Sequence, residues 1–313
     1  MLIKEDIITR YIRNCKTKNF TPNEQGEIDD DDLSNYIDEF ITEIENSIDE
    51  NCISEILNNK IKSEIETVTT DFTAKMLNTF YLTASSIFNY LLTKYYDDDN
   101  VIKRVLGNIG NYAIELFVQI FSLYLSGCEI GILANVRILY ENYVVFKYIG
   151  KYPDLAESYF DHAVYKKYLL LKEYWKTLTK EEEKEMIEIS NKYKDVKNFD
   201  ADYGWAFKTI ENENKRKVAT MAGDLKLLDY TELYKVSSNY IHPSSFSVFH
   251  KNIVKSLVPN TLLMSIEIFT NTVINLLEYY KCEEKEIILI RNLLYGLRED
   301  LYNEPKIYNI PAK

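Results

Sequence analysis

Three long apolar runs separated by short breaks constrain this chain more than any other feature. Phe72–Tyr95, Val101–Leu125 and Glu129–Ile149 are rich in aliphatic and aromatic residues, and Asp97–Asn100 and Ser126–Gly127 are the breaks between them. Runs of that length exceed ordinary strands and suit helices, and connections that short make neighbouring helices antiparallel. Turn residues are scarce as well: 9 Gly and 6 Pro in 313 residues are about 3% and 2%, against usual levels of roughly 7% and 5%. A turn-rich all-β fold and a low-complexity chain are both poor fits. The spacing predicts an all-α fold, a multi-helix bundle of long, mostly antiparallel helices.

The bundle has flanks of different composition. Residues 1–70 read as an acidic helical N-terminal extension, 71–302 as the main helical bundle domain, and 303–313 as an irregular tail. In the extension, charges through Met1–Asn14 leave no apolar core for a secretory signal. Asn19–Asp32 is an acidic link whose Gly26 precedes its aspartates, the wrong order for a calcium loop. Leu33–Thr70 repeats apolar residues at helical spacing. After Pro153, helices are expected over Asp154–Leu178 and from a Thr179/Glu182 capping box to about Tyr193. Asp195–Ile210 reads as a loop entering a short helix. Further helices are expected over Glu211–Leu228, Tyr230–Tyr240, Phe246–Tyr280 with a kink or restart at Pro259, and Glu283–Tyr302.

Charge and motif content narrow the function classes. Lys and Arg total 37 against 49 Asp and Glu, and a net charge of −12 disfavours passive binding to nucleic acid. Ile130–Ile149 has nearly the length of a membrane span, but Arg137 and Glu141 would each cost roughly 2.5–3.5 kcal/mol near its centre, so no membrane partner is expected. The four cysteines, Cys15, Cys52, Cys128 and Cys282, are dispersed and fit reduced thiols in a cytoplasmic protein. P-loop, dinucleotide, nucleophile-elbow and metal-ligand spacings are lacking, so no cofactor and no metal are expected.

Two constellations carry chemistry. Arg137 and Glu141 stand one turn apart inside an apolar helix, and Arg before Glu is the weaker order for a surface pair, which points them inward. Tyr234, Ser238 and His242 follow at successive i+4 steps, with Pro243 placing His242 at or beyond the helix end. A structural buried pair and a helix-terminal imidazolium are the plain alternatives. The sharper reading has Arg137, Glu141, Ser238 and His242 converging in the bundle, with Tyr203, Trp205 and Tyr234 walling a pocket for an anionic or nucleotide-like ligand.

Arg137-x-x-x-Glu141, then Tyr203-Gly204-Trp205-Ala206, then Tyr234-x-x-x-Ser238-x-x-x-His242 resembles a bacterial and archaeal helical family of unknown function, over about Phe72–Tyr280. The resemblance implies an all-helical cytosolic domain and no assigned activity. The expected function is a cytosolic helical ligand- or partner-binding protein, a homodimer being one form of partner, with a phage-defence setting by analogy to helical toxin domains. The enzymatic alternative is a metal-independent ribonuclease similar to HEPN domains, acting on RNA through Arg137 and His242. The usual R-x4-6-H signature is not formed at His162, His242 or His250.

Overall fold

A computed structural model describes residue 11 and residues 36–42, 72–175, 178–227, 231–241 and 251–303. No strand occurs among the described residues. The helices are α1 (Phe72–Tyr95), α2 (Val101–Leu125), α3 (Glu129–Lys151), α4 (Ala156–Leu170), α5 (Lys180–Lys192), α6 (Val218–Asp224), α7 (Thr231–Ile241), α8 (Lys251–Tyr279) and α9 (Glu284–Asn303). The chain packs as two units: one of Met1–Tyr96, Gly110–Tyr140 and Tyr230–Lys313, the other of Asp97–Ile109 and Glu141–Asp229. The expected boundary at residue 70 and the tail residues 304–313 lie outside the described residues.

The first unit closes around α1, α8, α9 and the greater part of α2. Phe80, Phe117 and Phe269 are all but fully buried, with centroids 4.8 to 6.1 Å apart. Each such ring contributes roughly 1.5–3 kcal/mol by leaving water. Helical residues 36–42 and Tyr11 belong to this core: Tyr36 stacks on Tyr11, and the Tyr11 hydroxyl donates to the Leu289 carbonyl at 3.2 Å. The described part of the extension thus packs on its own chain. Ser256–Tyr279 is long and apolar enough to cross a bilayer, and 72% of its most apolar window is buried inside the protein.

The second unit is built on α4, α5 and the loop after them. The expected capping box is present, the Thr179 side chain accepting from the Glu182 N–H while the Glu182 carboxylate accepts from the Thr179 N–H. α5 returns antiparallel along α4. Lys192 binds both Glu157 and Asp161, at 2.7 and 2.6 Å, and the Tyr168 hydroxyl donates to Glu185.

Three expected elements differ in the structure. Asp154–Leu178 is not one helix: Pro153–Leu155 is a 3-10 turn, α4 stops at Leu170, and Leu171–Trp175 is a π turn. The described part of Glu211–Leu228 is helical only over Glu213–Lys215 and Val218–Asp224. The reason is Arg216, whose side chain donates to the carbonyls of Ile210, Lys197 and Glu211 and holds the intervening backbone out of the helix. Of the kink or restart expected at Pro259, the restart does not occur, since α8 runs through the proline. Proline there removes one ladder hydrogen bond, and packing of Val258 and Leu262 in the core offsets the loss.

Candidate functional site

On α3, Leu133, Arg137 and Tyr140 stand at i, i+4 and i+7 and so share one face. α7 meets that face in the first unit through Tyr234 and Val236. Val236 packs on Leu133, the Tyr140 and Tyr234 rings meet at 5.3 Å and 50°, and the Arg137 guanidinium carbon is 5.1 Å from the Tyr234 centroid. Tyr140 is 2% exposed, and burial pushes its phenol pKa up, so it stays neutral at physiological pH. Arg137 and Tyr234 are half-buried. A guanidinium this near an aromatic ring is attracted by the ring's face, and its N–H donors lie in its own plane. The contact therefore restrains the group that would grip an oxyanion.

The other residues singled out from the sequence fall as follows. Ser238 is half-buried, and its hydroxyl donates to the Tyr234 carbonyl one turn back, at 2.9 Å. Glu141 is half-buried one turn beyond Arg137, at the first position of the α3 segment that belongs to the second unit. His242 lies outside the described residues. Tyr203 and Trp205 belong to the second unit, where Gly204–Lys208 form a 3-10 turn. Trp205 is 2% exposed, set edge-on against Tyr159 at 5.1 Å and Tyr148 at 6.4 Å, and its carbonyl accepts from Ser158. Arg137 and Tyr234 thus meet in the first unit, with Ser238 one turn beyond Tyr234 on α7, and the Tyr203–Ala206 segment is part of the second unit's core.

Two polar clusters escaped the sequence reading. Glu286 on α9 is 1% exposed, yet it is held by Lys94 at 2.7 Å, the Tyr90 hydroxyl at 3.0 Å and the Tyr95 hydroxyl at 2.6 Å. Burial alone would raise its pKa; the hydrogen bonds from Lys94 and Tyr95 outweigh burial and hold the carboxyl below its usual range. The same network and burial push Tyr95 up to about 12, and burial takes the nearby Cys282 thiol to about 11. The only hint in the sequence was the Tyr90, Lys94, Tyr95 spacing. His162 is the second case: it is buried on Phe199, and its Nε2 is 2.8 Å from the Ala201 carbonyl. Burial lowers its pKa, so it is a neutral packing group at pH 7. No group of three or more metal-ligating side chains occurs among the described residues.

Residues 103–256 match the sequence profile of a family of unknown function (DUF5677). The matched stretch is just under half of the chain, narrower than the Phe72–Tyr280 suggested by the motifs, and it contains Arg137, Glu141, Tyr203, Trp205, Tyr234, Ser238 and His242. The Glu286 cluster lies outside it. No curated protein and no solved structure matches the chain.

Proposed function

We propose that this protein is a cytoplasmic helical binding protein for an anionic, nucleotide-like small molecule, with Arg137 as its anion contact and Tyr234 as the platform that orients it. One observation carries this reading: the Arg137 guanidinium lies 5.1 Å from the Tyr234 centroid, inside the stripe by which α7 packs on α3. A guanidinium held in this way loses less side-chain entropy on gripping a phosphate, and its fork suits two oxygens at once. The placement of both residues within the family-matched stretch agrees with a shared role. The described histidine, His162, is neutral and bonded to a carbonyl, which favours binding over acid-base chemistry among the described groups.

The test is thermal unfolding of the purified chain with adenosine and guanosine mono- and triphosphates, for wild type, Arg137→Lys and Tyr234→Leu. At a ligand concentration of 100 Kd, binding stabilises the folded state by about 2.7 kcal/mol. That gain is expected in wild type and should be largely lost in both variants, since Lys cannot supply the planar fork. An equal gain in Arg137→Lys would overturn the assignment. Cleavage of an RNA pool by wild type, abolished by His242→Ala in a folded protein, would replace this reading with the ribonuclease.

A further inference from the structure

Arg104, the fourth residue of α2, is held in a manner that its own fold does not explain. Arg216 spends its donors on three carbonyls, and Arg298, whose Nε is likewise buried without a partner, has its charge met by Glu299. Arg104 is half-buried, and its Nε is fully buried with no hydrogen-bond partner. Its guanidinium carbon sits 4.0 Å from the centroid of the Phe160 ring on α4, in the same unit. Asp97, Asp98 and Asp99 just precede the helix and are exposed, yet no ion pair joins Arg104 to them.

A merely structural Arg104 is hard to justify. An aliphatic side chain would pack on Phe160 without stranding a buried N–H, which is costly when no acceptor meets it. A cation this near a helix start also opposes the helix dipole, and no acidic residue occupies the first turn of α2 to offset it. What the arrangement does provide is a guanidinium held against an aromatic ring, with an Nε–H lacking an acceptor. An oxyanion received at the terminal N–H groups would meet the charge, and a small shift of the side chain to admit it would bring the buried Nε–H its acceptor as well.

We propose that Arg104 and Phe160 form an oxyanion site that takes the phosphate or carboxylate group of a small ligand. It lies in the second unit, whereas Arg137 and Tyr234 lie in the first, so it stands or falls independently of the function proposed above. The chain has seven arginines, which makes arginine-selective nitrogen labelling practical. The Arg104 Nε–H signal is the one missing from the spectrum of Arg104→Lys.

The full chain would be titrated with inorganic phosphate, with acetate, and with sodium chloride at matched ionic strength. A saturable shift of the Arg104 signal with phosphate, acetate or both, and not with chloride, is the expected result, and the more effective anion identifies the ligand class. The shift should persist unchanged in Arg137→Lys. Phe160→Leu should weaken the apparent affinity about tenfold by removing the cation-π contact, with the other arginine signals in place to show that the variant folds. A signal that stays still, or that drifts linearly with all three salts, overturns the proposal.

Discussion

Gly204 fixes the Tyr203–Ala206 segment by steric exclusion. A Cβ at this position would lie 2.1 Å from the Phe199 carbonyl oxygen and 2.6 Å from that of Asn198, both backbone atoms that cannot swing away. Gly204→Ala should therefore cost at least about 3 kcal/mol, read as a fall in the denaturant midpoint, because the loop must move and Trp205 leaves its core position with it. A near-neutral result would mean that the segment is not packed this way. Glu286 is the opposite kind of position, held by chemistry rather than space. Glu286→Gln should cost about 1–3 kcal/mol at pH 7, the lower part of that range reflecting the partial exposure of Lys94. Its pH dependence has a definite sign. With a folded pKa below the unfolded value of about 4.3, the carboxylate's contribution is complete above that value and is lost as pH falls through the folded one. The stability gap between wild type and Glu286→Gln should thus be constant from pH 6 to 8 and close below about pH 4, as measured by urea unfolding at each pH.

Three of the helices end in the same way, with and without glycine. α2 terminates with Gly127 at φ 66°, the Cys128 N–H donating to the Leu123 carbonyl and the Gly127 N–H to that of Tyr124. This is a Schellman cap, and glycine suits its left-handed position. α6 and α8 end with the same pair of hydrogen bonds, yet Lys226 and Lys281 occupy the left-handed position at φ 58° and 54°. Each lysine carries a Cβ penalty that glycine would not. Lys281→Gly is expected to raise stability by about 1 kcal/mol, visible as a higher unfolding midpoint; a loss would show that the Lys281 side chain contributes more than its backbone strain costs. Long helices such as α1, α2 and α3 were legible because their apolar residues recur over six or more turns and their breaks are chemically marked. Glu211–Leu228 was misread because local composition favours a helix there, whereas the Arg216 side chain folds back on the carbonyls of Ile210 and Glu211 and reaches that of Lys197, bonds that helical spacing cannot reveal.

For the molecule as a whole, helical class was written in the residue pattern, whereas its division into two units was not, because that depends on which helices meet. The Arg137 and Tyr234 approach was accessible to sequence, since the i+4 and i+7 stripe on α3 marks a packing face; the partition of Tyr203 and Trp205 into the other unit was not. The division has a thermodynamic consequence. α2 supplies residues up to Ile109 to the second unit and the rest to the first, and α3 changes units between Tyr140 and Glu141. Unfolding either unit alone would leave part of each helix without the packing that supports it, and isolated helices of about a dozen residues are marginal in water. The two units should therefore melt as one cooperative transition, with calorimetric and van't Hoff enthalpies in agreement. Gly204→Ala, although placed in the second unit, should lower the protection from hydrogen exchange of α1 and α9 in the first. Two resolved transitions, or protection lost only in the second unit, would show that the shared helices break at the boundary instead of transmitting the loss.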